Sequence, residues 1–183
     1  MKILEHFLQE EDDHPMLIRA DVFPDERGDF IVGFDYAQYL KHGIIMKPVY
    51  ESISSSVRGV IRGLHTQIGR EQSKLVRCVH GKILDVAVDV RRGSKTFGRA
   101  AHALVNETTQ FYVPKGFLHG FQALSERAIV VYFQDEGFFP ETEQGIYCGD
   151  GALGIPWWDI PPIISKKDSE WPTLEEAIKK GLL

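Results

Sequence analysis

Turn-forming residues recur at short, regular intervals between residues 57 and 134, and this punctuation limits the fold more than anything else in the chain. Gly81, Arg92-Gly93-Ser94, Asn106, Pro114-Lys115-Gly116 and Ser125 each interrupt a short run rich in Val, Ile, Phe and Tyr. Such runs are too short for helices of ordinary length. They read as strands of an antiparallel sandwich or barrel. Within residues 83–90, Val86, Val88 and Val90 fall on one face of the strand, and Asp85 and Asp89 fall on the other. Upstream, residues 16–23 read as a strand. The turn Pro24-Asp25-Glu26-Arg27-Gly28 follows, and a second strand covers residues 29–34. Residues 36–42 form a short helix stopped by Gly43. Thr173-Leu174-Glu175-Glu176 has the form of a capping box and opens a second helix. The fold class expected is mostly β, with a little helix at the end.

Bulk properties narrow the function. The chain has 183 residues, enough for one domain with a sizeable core and short for two. No repeat or low-complexity tract divides it, so residues 1–183 read as a single domain. The net charge of −5 argues against nucleic acid as a general partner, while a local basic patch could still hold a small anion. The N-terminus lacks the apolar core of a signal peptide, and no apolar run is long enough to span a bilayer. Cys78 and Cys148 stand far apart with no CxxC partner, which fits a reducing cytoplasm better than a disulfide framework.

Two glycine-flanked histidines carry the chemistry. In Arg58-Gly59-Val60-Ile61-Arg62-Gly63-Leu64-His65, strict alternation puts Arg62 and His65 on opposite faces, but Gly63 permits a bulge that re-aims one of them. In Pro114-Lys115-Gly116-Phe117-Leu118-His119, a turn delivers His119 to the start of a strand. Either histidine alone is more often a satisfied polar residue than a catalyst. The two together raise the case for a site. A metal in the barrel is not expected. The first motif continues Thr66-Gln67, so the second histidine of an HxH pair is missing and no closed ligand set forms there.

The runs VIRGLHTQ, SKLVRCVHGKILDVAVDVRRGSKTFG, YVPKGFLHGFQALSE, VVYF and FFPETEQGI together resemble the dTDP-4-dehydrorhamnose 3,5-epimerase family, from about Phe23 to about Asp168. The resemblance implies a cupin-type β jelly roll. It also implies a cytoplasmic homodimer whose N-terminal strands are exchanged, and a nucleotide-sugar substrate with no cofactor. The activity implied is epimerisation at C3, or at C3 and C5, of a nucleotide-linked 4-keto-6-deoxyhexose in surface-polysaccharide (O-antigen, lipopolysaccharide) biosynthesis. A nucleotide-sugar 3,4-ketoisomerase and a non-catalytic sugar-binding cupin are the alternatives on the same scaffold.

The chemistry needs a base to take a proton beside the C4 ketone, a cation for the enolate oxygen and an acid to return a proton to the other face. By resemblance His65 is the base, Asp168 the carboxylate paired with it, Lys74 the cation and Tyr132 the acid. Arg62 matches a diphosphate ligand, and His119 a residue lining the sugar or phosphate site. Arg27 and Phe30 match residues of the exchanged strand that reach the nucleotide. Phe138 stands where the family commonly has a tyrosine and can still stack on a base through its ring face, and Glu143 matches a ligand-binding carboxylate. Departures gather at the nucleotide end. Val32 stands where the family commonly has an acid, Tyr50-Glu51-Ser52 where it has Gln-Asp-Asn, and Phe138-Phe139 where it has a Tyr pair. The nucleotide carrier could therefore be CDP in place of dTDP.

Overall fold

The regular turns close into two facing antiparallel sheets, described by a computed structural model of residues 1–183. The first sheet runs in the order β1 (Lys2–His6), β2 (Met16–Arg19), β10 (Thr109–Val113), β7 (Lys74–His80), β12 (Arg127–Gln134), β5 (Tyr50–Val57). The second runs β13 (Glu143–Gly145), β6 (Val60–Gln67), β11 (Phe117–Ala123), β8 (Ile83–Asp89), β9 (Ala100–Val105). A two-residue strand, β14 (Ile163–Ile164), adds to β6 in parallel. This is the mostly β architecture expected from the punctuation, in the jelly-roll-like form that the resemblance implies.

Apolar alternation explains the layering. Val76, Cys78, Phe111 and Val130 from the first sheet meet Ile83, Ala87, Phe117 and Phe121 from the second, forming the core between the sheets. The outer face of the second sheet, with Ile61, Leu84, Val86, Val88 and Leu118, is covered by the C-terminal segment through Ile146, Ala177 and Leu183. Helix α3 (Leu174–Lys179) starts with the expected capping box, in which Thr173 and Glu176 exchange side-chain and backbone bonds. The outer face of the first sheet is covered by α1 (Tyr36–Lys41) and the segment after it, through Tyr39, Ile44 and Met46. Every residue of β8 is therefore buried. Its valines face the C-terminal cover, and Asp85 and Asp89 face inward. Asp89 is satisfied by Arg91, Ser94 and Thr96.

The predicted strand over residues 16–23 is two strands. It breaks at Ala20, and β3 (Asp21–Asp25) leaves the first sheet to pair only with β4 (Gly28–Val32). The second predicted strand, 29–34, is this β4, which starts a residue earlier and ends two earlier. The β3–β4 hairpin leaves Phe23 57% and Phe30 69% exposed, which is a large apolar surface for a free element.

The bulge expected at Gly63 is present. Across β6 and β11, His65 pairs with His119 and Arg62 with Phe121, so Gly63 and Leu64 together face Gly120 alone. The extra residue turns an odd spacing into an even one, and Arg62 and His65 reach the same cavity. Gly63 sits at φ +101°, and a Cβ there would lie 2.5 Å from the carbonyl oxygen of His119. Gly63→Ala should accordingly destabilise the fold by about 2–4 kcal/mol in denaturant titration. Gly69→Ala, at φ +77° with open space around it, should lose only about 1 kcal/mol. Equal losses would show that β6 does not depend on this close approach.

Candidate active site

A cavity of about 430 Å³ opens between the sheets beside their apolar core, with Phe121 in the wall between them. β5, β7 and β12 form one wall, and β6, β11 and β13 the other. Its lining is mostly polar, including Arg62, His65, Lys74, His119, Tyr132 and Glu143, with Phe138 at the rim and Asp168 from α2 (Lys166–Ser169). Eight of the ten site residues expected from sequence thus line one cavity. Arg27 and Phe30 do not. They lie on the β3–β4 hairpin, where Arg27 pairs with Asp25 at the tip.

His65 and Lys74 interact across the cavity. Burial draws the His65 imidazole far below its ordinary value, to about 3, and the charges of Lys74, His119 and Lys167 push the same way. Near neutral pH the ring is an uncharged acceptor. Its side chain is still 32% exposed, toward the opening, so a ligand can reach it. Lys74 is buried at the start of β7. Burial lowers its ammonium to about 8, partly offset by Glu143 and Asp85. The close basic–acidic contacts at the cavity are His65–Glu143, His119–Asp85 and Lys167–Glu143, and Lys74 takes part in none of them. A buried cation without a direct partner is poised to receive a developing oxyanion.

Tyr132 lies on the facing sheet. Its phenol is pushed well above the ordinary range by burial, with the hydrogen bond to Ser54, 3.0 Å away, opposing in part. It therefore keeps its proton. His119 packs edge-on against Tyr132, with ring centroids 6.0 Å apart. His119 Nε2 donates to Asp85 Oδ1 at 2.7 Å, with both residues buried. This bond fixes the orientation of the imidazole in the cavity. Asp85 was not singled out from the sequence as a site residue. Its signal was a carboxylate at an inward position of a strand that is otherwise apolar apart from Asp89.

The carboxylates near His65 are arranged differently from the pairing that the resemblance implies. Glu143 Oε1 stands 3.7 Å from His65 Nδ1, too far for a hydrogen bond, and Glu143 is itself tied to Lys167. Asp168 is buried at the cavity wall, with its backbone N–H donated to Ser165, and no hydrogen bond joins it to His65. Both reach the cavity through β6. β13 places Glu143 opposite Gln67, and β14 leads into α2.

At the outer end, Arg62 Nε donates to Ser56 Oγ at 3.0 Å. Three amides not expected from the sequence as site residues, Gln67, Gln72 and Gln134, hold the loop that carries Phe138. Gln67 and Gln72 both donate to the Gly137 carbonyl, and Gln134 donates to Gln72. Ser52 Oγ donates to Gln134, so Tyr50 and Ser52, two of the departures noted above, line this end of the cavity. Val32 lies on β4 and does not.

The charge states predict a pH profile. With His65 as the expected base, the ring must be neutral, which holds down to acidic pH, and Lys74, the expected cation, must be protonated, which fails above about 8. The turnover efficiency kcat/KM should therefore stay level from about pH 5 to 7 and fall above about pH 8. An acid limb near 6.5, the value of an ordinary histidine, would contradict the burial of His65.

Comparison with known proteins points to one family. The family model for dTDP-4-dehydrorhamnose 3,5-epimerase matches residues 13–176. A dTDP-4-dehydrorhamnose 3,5-epimerase of Methanothermobacter thermautotrophicus is 40% identical over 177 residues, covering 93% of this chain and 95% of that protein. The crystal structure of a dTDP-6-deoxy-D-glucose-3,5-epimerase from Legionella pneumophila, in complex with dTDP-4-keto-L-rhamnose, superposes with a TM-score of 0.91. It is 35% identical, over 100% of this chain and 96% of that one. A 3'-monoepimerase from Streptomyces bikiniensis, in complex with dTDP-quinovose, gives a TM-score of 0.86 at 32% identity, over 92% and 88% of the two chains.

Proposed function

The chain belongs to the dTDP-4-dehydrorhamnose 3,5-epimerase family and is a carbohydrate epimerase, and on that footing we propose that its cavity inverts C3 and C5 of a dTDP-linked 4-keto-6-deoxyhexose. The observation that carries this reading is the set of charge states in one cavity: a neutral imidazole, a buried ammonium and a protonated phenol. His65 takes the proton beside the C4 ketone. The electron pair moves onto the ketone oxygen, where the Lys74 ammonium stabilises the enolate. Tyr132, on the facing sheet, returns a proton from the other side. The resulting imidazolium needs a counter-charge, and Asp168 or Glu143 supplies it once the ring turns on substrate binding. His119, held by Asp85, orients the sugar, Arg62 takes the diphosphate, and Phe138 stacks on the base.

Arg27 and Phe30 act in a second copy of the chain. The exposed β3–β4 hairpin, which has no sheet to join in its own chain, supports a homodimer in which each hairpin completes the other's nucleotide end. Phe30→Ala should raise the dimer dissociation constant measured by sedimentation and the substrate KM together. A monomeric wild type would exclude the exchange.

A second reading concerns the carrier. Tyr50 and Ser52 line the outer cavity where the family commonly has amides, which favours a changed base and makes CDP the competing carrier. The two free, buried thiols fit a cytoplasmic enzyme of surface-polysaccharide biosynthesis, acting through residues 1–183 as one unit.

One experiment tests the reaction and the carrier together. In deuterated water, the dTDP- and CDP-linked 4-keto-6-deoxyglucose should be compared by NMR. Label at C3 and C5 of the dTDP sugar is expected, and label only from the CDP sugar would transfer the assignment to that carrier. His65→Ala should slow exchange by about a hundredfold or more. No label from either sugar would refute the proposal.

A further inference from the structure

We infer that the β1–β2 connection carries a surface site for a borderline divalent metal ion, of the zinc or nickel type, built from His6 and His14. His6 Nδ1 and His14 Nε2 lie 2.8 Å apart, with ring centroids 5.1 Å apart. Two nitrogens sharing a tetrahedral zinc ion stand roughly 3.3 Å apart, so the pair needs only a small opening to hold one.

For His14 the tautomer is already the one a metal requires. His14 Nδ1 donates to the Glu11 carbonyl at 2.9 Å, leaving Nε2 as the lone-pair nitrogen that faces His6. A ligating histidine commonly anchors its other N–H on a backbone carbonyl in this way. His6 Nδ1 then carries the proton shared between the rings. On metal binding that proton moves to Nε2 of His6, which is exposed, and Nδ1 becomes the second ligand. No net proton is released.

The loop between the two histidines is fixed before any metal arrives. The Phe7 N–H bonds the Pro15 carbonyl, Gln9 bonds the His6 carbonyl, and Arg91 bonds the Asp13 carbonyl at 2.7 Å. Phe7 packs on Phe111 of the core. Little ordering is left for the ligand to impose. The loop is also acidic. Glu10 pairs with Arg99, Glu11 accepts from the Lys95 N–H and Asp13 from the Tyr112 hydroxyl, whereas Glu5 and Asp12 have no ion pair. The residual negative charge favours a cation. No third His, Cys, Asp or Glu completes the set, so water fills the other positions and the site is open and exchangeable. None of these residues lines the catalytic cavity.

Thermal unfolding of the full chain with Zn²⁺, and separately with Ni²⁺, tests the site. Zinc should raise the Tm of wild type by about 2–4 °C, reversibly with a chelator. Titration calorimetry should find one ion per chain outside the cavity. His6→Ala, at an exposed position, should abolish both signals without lowering the metal-free Tm or the epimerase rate. His14→Ala should abolish them too, and His102→Ala, at an exposed histidine elsewhere, should keep them. No shift in wild type, or a shift that survives His6→Ala, would overturn the site.

Discussion

The close approach of β6 to β11 at Gly63 and Gly120 is the contact on which the rest of the site depends. A side chain at either glycine would run into the opposite backbone, within 2.5 Å of a carbonyl oxygen in each case. Because both are glycine, the strands meet there, and the bulge brings Arg62 and His65 onto one wall. β6 also anchors β13 and β14, which place Glu143 and the α2 turn with Asp168. His119, across the same contact, is locked to Asp85 on the next strand. One steric accommodation thus assembles groups drawn from distant parts of the chain.

Burial then sets what these groups can do. Removing water penalises the charged form of each group. The same penalty that makes the His65 imidazole neutral weakens the Lys74 ammonium and strengthens the hold of Tyr132 on its proton. Those shifts leave an unprotonated imidazole, an ammonium that is charged near neutral pH and a phenol that keeps its proton. Weak local pairing at His65 belongs to the same design. Its carboxylate neighbours stand off, so the ring is a free acceptor until a proton arrives.

The sequence made the layered β architecture readable because its turn residues and Val-rich runs are local signals. The capping box at Thr173 and the stop at Gly43 were equally local, and both stand where expected. The break at Ala20 was not readable, because residues 16–23 keep one alternation while changing partner. Asp85 was visible only as half of an alternating pattern. Its burial becomes clear once β9, β11 and the C-terminal cover enclose β8. The roles of Lys74, Tyr132 and Asp168 came from family resemblance alone, since spacing cannot bring residues so far apart to one cavity. The amide set of Gln67, Gln72 and Gln134 was invisible for a related reason. Glutamine in a strand looks like surface until its partners are known.

The central claim is that deprotonation and reprotonation are separate acts by groups on facing sheets, His65 and Tyr132. Tyr132→Phe separates them, because it removes the donor and leaves the base in place. With the dTDP-linked ketosugar in deuterated water, NMR should show this variant exchanging the C3 hydrogen with solvent while forming little inverted product. Exchange and inversion falling together by the same factor would contradict the division of labour between the two walls of the cavity.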